Sequence, residues 1–388
     1  MQWINFLHLY QPANTKDYYI QEAVEKSYSR ILRALEENPE ARFTLNINGC
    51  LILRLCDMGY EWLVKRFRDL YEKGQIEIVS TAAYHPVLPL LPKREIIKQI
   101  KEQEDILKEK LGVKKKPSGF FLPEMAFSPE IAKILVRLKY KWIILDEIAY
   151  KGKFDQVDFS KVYQDKDSGL KVVFRSRRFS NTYIPEKLRM ELESDSQSPD
   201  LVVTASDAEL YGLRHEDPTG EFENILKQEG LELKTISEHM VGKEIVKINL
   251  LACSWESMPK ELLDNQPYIL WSGRHNKIHE LLWKLANLTL VTVWENQSDP
   301  QYYWARWHMV RGLASCTFWW AASRDFNHNF GPYAWNPDEI ERGLEEFIRA
   351  IRSIESSNTR KTKLKAEKIF IKTKELIWKR HWLHYWKK

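Results

Sequence analysis

The chain has 388 residues, of which 44% are hydrophobic and 29% are charged, and its formal net charge is +5. No stretch approaches the roughly 20 apolar residues of a membrane span, and four scattered cysteines without a CxxC pair make a disulfide framework or cysteine-bound zinc unlikely. The opening MQWINFLHLY has neither a basic region nor a cleavage site, which predicts a cytoplasmic protein without a membrane partner.

Seven short apolar runs recur along the first half of the chain, and helical patterns separate several of them. The runs span residues 3–9, 42–48, 76–81, 119–123, 142–147, 171–176 and 201–206, and the helical patterns span 21–37, 51–73, 94–111 and 129–139. The runs are rich in Val, Ile and Phe without alternation, as expected of strands covered on both faces. Repeated strand–helix units predict a parallel sheet, and seven strands favour a barrel over an open doubly wound sheet. No glycine-rich phosphate loop follows any run.

The character of the sequence changes after Gly242. The segment VKINLLACSWE predicts one more short strand, and four helices are predicted over residues 279–296, 301–323, 337–356 and 362–383. Residues 190–200 predict a polar loop.

The C-terminal segment is strongly basic, since residues 360–388 hold 11 Lys or Arg against two Glu. Its apolar residues at near-helical spacing predict a helix that docks through Ile371, Trp378, Trp382 and Trp386. A tail that stacks nucleic-acid bases is an alternative. We expect no nucleic-acid partner, and contact with another subunit, as in a homo-oligomer, stays open.

Polar residues stand at or just after the carboxyl end of every predicted strand. They are His8, Tyr10, Gln11, Asn46, Asn48, Tyr84, His85, Glu124, Asp146, Glu147, Arg175, Arg177, Asp207 and Glu209. Any one of them is more often a cap or a satisfied polar group. Because the carboxyl ends of parallel barrel strands open on one face, seven such ends in succession predict a shared active site.

The residue types favour sugar chemistry. Two carboxylates from non-adjacent strands suit glycoside cleavage, with a separation of about 5–5.5 Å for retention and a wider one for inversion. Aromatic side chains, which stack on sugar rings, cluster in residues 301–309 and 316–326, although Trp304, Trp307, Trp319 and Trp320 are equally interpreted as helix-packing residues. Asp325 suits either a sugar hydroxyl or a helix cap.

Metal-dependent hydrolysis is the competing interpretation. His8, His85, Asp207 and His215 are zinc-ligand types, but no two of them are closely spaced in the sequence. A Ser-His-Asp triad is disfavoured because no G-x-S-x-G elbow is present.

Five motifs in order resemble those of glycoside hydrolase family 57. They are HLYQP (8–12), YHPVLPLLP (84–92), GFFLPEMAFS (119–128), SDAELYGLRH (206–215) and ASCTFWWAASRDF (314–326). The resemblance spans most of the chain, and it implies that Glu124 is the nucleophile and Asp207 the general acid/base. Two motifs depart from the family pattern, with Phe-Leu before Pro-Glu and Leu-Arg after Tyr-Gly, which leaves substrate specificity open.

The resemblance also implies a fold and a reaction. The expected fold is α/β, an incomplete (β/α)7 TIM-like barrel over residues 1–260, followed by an α-helical domain over 261–388 that completes the substrate cleft. The expected activity is retaining cleavage or transfer of α-1,4-linked glucans such as starch, glycogen or maltooligosaccharides, without metal or other cofactor. The expected substrate-binding residues are His8, Gln11, His85, Asp146, Arg175, Glu209, Trp255, Trp319, Trp320 and Asp325. Neighbouring carboxylates, Glu209 and Asp146, are expected to favour the protonated form of Asp207.

Two other classes stay open. A metal-dependent deacetylase or mannosidase on a similar barrel would lose its activity to a chelator, and a non-catalytic glucan-binding protein would keep the aromatic residues without the carboxylate pair.

Overall fold

All seven predicted strands form, and they pair in parallel. The computed structural model describes residues 1–194, 199–322 and 335–385, and for residues 384 and 385 it describes the backbone alone. Its strands are β1 Gln2–Leu9, β2 Phe43–Ile47, β3 Ile76–Val79, β4 Gly119–Phe120, β5 Trp142–Asp146, β6 Val162–Asp165, β7 Lys171–Arg175, β8 Leu201–Asp207, β9 Glu232–Lys234 and β10 Ile245–Ile248. The predicted α/β class with a parallel sheet is therefore confirmed.

The described residues divide into two compact units. The first comprises Met1–Gln11, Thr15–Ala83 and Leu88–Leu262, and the second comprises Pro12–Asn14, Tyr84–Val87 and the chain from Leu263 onward. Helices of the first unit are α1 Asp17–Ala23, α2 Ser29–Glu37, α3 Gly49–Asp57, α4 Glu61–Glu72, α5 Lys93–Leu111, α6 Pro129–Arg137, α7 Arg177–Ser180, α8 Ile184–Glu193, α9 Glu221–Ile225 and α10 Ile236–His239. Helix α11, Pro259–Leu263, begins in the first unit and its last residue is counted with the second. The second unit contains α12 Lys277–Glu295, α13 Tyr302–Gly312, α14 Ser315–Trp319, α15 Pro337–Ser353 and α16 Arg360–Tyr385.

The strands of the first unit form two sheets. One has the order β3–β2–β1–β8, with β9 also pairing with β1, and the other has the order β10–β6–β7–β5–β4. Only the β6–β7 pair is antiparallel among the described strands. Backbone hydrogen bonds from Ser80 to the β4 segment and from Ser176 to Val203 link the sheets at both junctions. The carboxyl ends of β1, β2, β3, β4, β5, β7 and β8 therefore lie along a connected series.

Burial on both faces explains the composition of the strands. Every residue of β2 and β5 is buried, and in β1 only the first residue is partly exposed. Trp3 and Phe43 meet edge to face in the core formed with the surrounding helices, with ring centroids 5.5 Å apart. Their non-alternating apolar pattern is what this double coverage requires.

Helix boundaries differ from prediction where the backbone turns. The predicted helix 51–73 is two helices, α3 and α4, because the chain reverses at Gly59, whose φ of 82° suits glycine. The predicted helix 301–323 breaks at Ala314, which has extended geometry before α14. Helix α8 extends to Glu193, into the predicted loop 190–200, of which residues 195–198 lie outside the described residues.

The C-terminal helix forms, but two residues of the predicted docking stripe lie outside its buried face. Ile371 and Trp382 are 62% and 50% exposed, and the buried positions of the helix are instead Ala366, Ile369, Thr373 and Ile377. Trp386 lies outside the described residues. Trp378 is half-buried, and its indole Nε1–H donates to Glu341 Oε2 of α15 at 2.6 Å, so this residue of the stripe docks as predicted. No helix in the described part of the chain is both long and apolar enough to cross a bilayer.

Candidate active site

Three polar side chains form a row at the carboxyl edge of the first sheet. The register pairs His8 of β1 with Asn46 of β2 on one side and with Asp207 of β8 on the other. His8 Nδ1 lies 2.8 Å from Asn46 Oδ1. Since Asn46 Nδ2 donates to the carbonyl of Val79, its Oδ1 faces the ring, and His8 donates from Nδ1. His8 is 1% exposed and its ring lies against Phe121.

Glu124 is held in an unusual backbone turn directly after β4. Its φ is 60° and that of Met125 is 46°, so two successive non-glycine residues adopt left-handed geometry. Such conformations are disfavoured by about 1–3 kcal/mol each and persist where the surroundings impose them, often at functional sites. Here the turn is fixed by Met125 N–H donating to Leu122 O at 2.7 Å.

Trp255 contacts Glu124 through both its backbone and its side chain. Its N–H donates to Glu124 O at 3.1 Å, and its indole Nε1–H donates to Glu124 Oε2 at 3.0 Å. The two segments are aligned by an antiparallel bridge between Phe127 and Cys253. The bridge and these hydrogen bonds orient the Glu124 carboxylate.

Trp255 and Asp207 line one open cavity of about 480 Å³ in the first unit. This volume falls within the roughly 300–1,000 Å³ of small-molecule sites. The other lining residues are mostly polar or charged: Arg175, Ser180, Asn181, Thr182, Tyr183, Ser206, Leu210, Arg214, His215 and Glu256. Since Trp255 also bonds Glu124, the two predicted catalytic acids are connected through one tryptophan at this cavity.

Asp207 has an arginine beside it as well as the predicted carboxylate neighbour. Arg214 Nη1 lies 2.6 Å from Asp207 Oδ2, and the Asp207 side chain is 24% exposed. The predicted like-charge neighbour Glu209 is present, because the Asp207 charge contributes to its raised pKa. Asp146, the other predicted neighbour, binds two arginines.

Glu209 lies behind Asp207, away from solvent. It is 1% exposed, and its Oε1 accepts hydrogen bonds from the Tyr28 hydroxyl and from Gln11 Nε2, the latter at 3.1 Å. Burial raises the pKa of Glu209 to about 7, while Arg214 opposes the shift and Asp207 adds to it. Gln11 and Glu209 were both predicted to bind substrate, but here they bind each other.

Asp146 was also predicted to contact substrate, and the structure corrects this. Its carboxylate is fully buried and accepts from Arg175 Nε at 2.8 Å, with Arg177 Nη2 2.9 Å away. The two guanidinium groups in turn donate to Trp255 O. Asp146 therefore supports the segment that carries Trp255. A strand-end position does not reveal whether its side chain points toward solvent or into the protein.

We expect Asp146→Ala to lower the free energy of unfolding by about 3–5 kcal/mol, because it leaves two largely buried guanidinium groups without their carboxylate. Chemical denaturation measures the change. Glu36→Ala is the matched control, since it removes a two-bond carboxylate–arginine pair with Arg66 near the surface, where about 0.2–1 kcal/mol is typical. Equal losses in the two variants would contradict a supporting role for Asp146.

Three predicted residues belong to the second unit, and one lies outside the described residues. His85 is 1% exposed, has a φ of 53°, and accepts a backbone hydrogen bond from Ser315 N at 2.9 Å. Trp319 and Trp320 contact each other edge to face at 4.6 Å. Asp325 falls in the undescribed segment 323–334.

Sequence reasoning missed Tyr28 and the pairing of Arg214 with Asp207. Tyr28 sits in a π-helical turn, Val24–Tyr28, whose position no motif marks. Arg214 was visible only as a departure from the family pattern in YGLRH. Within residues 1–194, 199–322 and 335–385, no three His, Cys, Asp or Glu side chains are grouped so as to hold a metal ion.

The first unit is thus an α/β protein with acids at the ends of parallel strands. Residues 4–250 match the family model of glycosyl hydrolase family 57. The chain belongs to glycosyl hydrolase family 57, which confirms the resemblance found in its motifs.

Individual relatives match shorter segments. The chain is 29% identical over 225 residues to a 4-alpha-glucanotransferase from Thermococcus litoralis, a match covering 55% of this chain and 33% of that protein. It is 27% identical over 141 residues to alpha-amylase 1 from Dictyoglomus thermophilum, covering 36% of this chain and 20% of the relative. The chain therefore matches a third or less of the length of these two relatives.

A solved structure supports the fold. The GH57 branching enzyme from Thermococcus kodakaraensis aligns with a TM-score of 0.69 over 96% of this chain and 94% of that one, at 15% identity. At this identity the likeness concerns the fold alone.

Proposed function

We propose that the chain is a retaining enzyme acting on α-1,4-linked glucans of the starch, glycogen or maltooligosaccharide type through a glycosyl-enzyme intermediate. The observation that carries the proposal is the Trp255 connection, in which one tryptophan bonds Glu124 and shares a cavity with Asp207. Family membership supports the substrate class, because relatives are named as alpha-amylases and 4-alpha-glucanotransferases.

Glu124 is the proposed nucleophile. The indole N–H of Trp255 binds Oε2 of its carboxylate. Since an indole nitrogen only donates, this hydrogen bond orients the carboxylate, one oxygen of which attacks the anomeric carbon. The carboxylate oxygen forms a bond to that carbon as the bond to the leaving oxygen breaks.

Asp207 is the proposed general acid/base. In the first step its proton goes to the leaving glycosidic oxygen, and in the second it takes a proton from the incoming water or sugar hydroxyl. Its ion pair with Arg214 matches the deprotonated form required in the second step. The choice between water and a glucan hydroxyl as acceptor separates hydrolysis from transfer.

We also propose a division of the chain into a barrel and a helical domain. The seven parallel strands linked through Ser80 and Ser176 support a (β/α)7 barrel over residues 1–260, and the helices from α12 onward support a separate α-helical domain over 261–388. His8 and Arg175 are proposed to steady the carboxylates or the bound sugar, and Trp255 to shape its subsite.

The test is incubation with amylose, maltooligosaccharides and a branched glucan, with product lengths and anomeric configuration resolved, each with and without EDTA. We expect new chain ends of retained α-configuration that are insensitive to EDTA. Longer products would show transfer, and shorter ones alone would show hydrolysis. Absence of cleavage on all three substrates, or loss with EDTA reversed by zinc, would refute the proposal.

A further inference from the structure

The loop that carries Asp207 is fixed at several points to the π-helical turn Val24–Tyr28. Ser27 Oγ donates to Ala208 O at 2.7 Å, and the Tyr28 hydroxyl donates to Glu209. Gly212 has a φ of 108°, and a Cβ there would come 2.3 Å from Lys26 O. Three consecutive residues of one turn therefore contact one loop. π-helical turns are rare and frequently occur at functional sites.

The same loop places two opposite charges beside Asp207. Arg214 pairs with the Asp207 carboxylate at 2.6 Å, and Arg214 N–H donates to Glu209 O at 2.7 Å. Glu209 is 1% exposed, its charged neighbours are Asp207 and Arg214, and the neutral Tyr28 hydroxyl donates a hydrogen bond to it. Burial lowers the pKa of Arg214, but Asp207 and Glu209 raise it above its ordinary value overall, so the guanidinium stays charged.

We propose that Glu209 and Arg214 are positioning residues that set, by opposite charges, the pH range in which Asp207 acts as general acid. This inference rests on the proposed role of Asp207. Electrostatic coupling between two carboxylates is reciprocal: because the Asp207 charge favours the protonated form of Glu209, an ionised Glu209 favours the protonated form of Asp207 equally. Arg214 acts in the opposite sense, since a cation beside a carboxylate favours its ionised form.

The signs give distinct expectations for two substitutions. Glu209→Gln removes a negative charge only where Glu209 is ionised, which is above its pKa of about 7. The kcat/KM of Glu209→Gln on maltooligosaccharides should equal that of wild type at pH values under about 6. By about pH 8 it should be roughly tenfold lower than that of wild type, because the alkaline limb of the pH profile moves to lower pH by about one unit. Arg214→Gln should move that limb to higher pH by a similar amount. The Arg214 side chain is 45% exposed, so Arg214→Gln should leave the fold intact.

Glu104→Gln is the matched control. Glu104 accepts a hydrogen bond from the buried Tyr140 hydroxyl at 2.6 Å, the same kind of tyrosine–glutamate pair, and it does not line the cavity. Its pH profile should overlay that of wild type. A uniform, pH-independent loss in Glu209→Gln, or a shift of the same sign in both loop variants, would overturn the proposal.

A second readout needs no activity. With a pKa raised from 4.5 to about 7, Glu209 keeps its proton in the folded protein while the unfolded chain ionises. Wild-type stability should therefore fall, relative to Glu209→Gln, as the pH rises from about 4.5 to about 7, and run parallel above that. Stability curves that stay parallel at every pH would refute the raised pKa of Glu209. Inactivity of the wild-type protein on all glucans would instead refute the proposed function.

Discussion

Glu124→Gln should lower kcat on α-glucans by roughly 10³-fold or more, because the amide cannot form the glycosyl-enzyme bond. The fold should survive, since the amide oxygen still accepts the hydrogen bond from Trp255 Nε1. Initial rates of new chain ends, with circular dichroism and thermal melts alongside, measure both effects. Glu130→Gln, an exposed acid in the first turn of α6, is the matched control and should retain full activity.

Glu124→Gly offers a sharper form of the same experiment. Glycine adopts a φ of 60° without a Cβ penalty, so this variant should be no less stable than Glu124→Gln. It also leaves space for a small external nucleophile such as azide, which should restore turnover of an activated aryl α-glucoside and give the β-glycosyl azide. Activity of Glu124→Gln within tenfold of wild type would remove Glu124 from the nucleophile role.

Asp207→Asn should show losses that depend on the leaving group. With unactivated maltooligosaccharides, which need a proton at the departing oxygen, we expect kcat/KM to fall about 10²–10⁴-fold. With an aryl glycoside whose phenol leaves unaided, glycosylation should be nearly unaffected, and a pre-steady-state burst should appear because deglycosylation lacks its base.

Asp200→Asn controls for this comparison. Asp200 is an exposed acid that leads into β8, and its backbone carbonyl rather than its side chain bonds Gln2. We expect no change on either substrate. If Asp207→Asn lost the same factor with good and poor leaving groups, the acid role would be untenable.

The sequence predicted those features of the fold and site that depend on the order of the strands. Apolar runs without alternation marked all seven parallel strands, and strand ends identified His8 and Asp207, which the register makes neighbours. The assignment of Glu124 depended on family motifs, because nothing in an isolated Leu-Pro-Glu distinguishes a nucleophile from a cap. Its left-handed turn combines the local hydrogen bond from Met125 N–H to Leu122 O with contacts to residues 253–255, which are distant in sequence.

Side-chain direction was the main source of error. Asp146 and Glu209 occupy the predicted strand ends but point into the protein, where arginine, tyrosine and glutamine side chains satisfy them. The partner Tyr28 lies 181 residues from Glu209, so no local pattern links them. The C-terminal helix shows the same limit, since Ile371 and Trp382 of its predicted docking stripe are exposed.

The link between Glu124 and Trp255 also bears on how the enzyme matures during synthesis. The two residues are 131 positions apart, so a nascent chain that has emerged only as far as β10 already contains every sheet strand described here but lacks the indole. Domains fold largely from the N-terminus as the ribosome elongates them. Catalytic competence should thus arrive only after the strands of the scaffold have been synthesised, because the indole that orients Glu124 follows all of them in the chain.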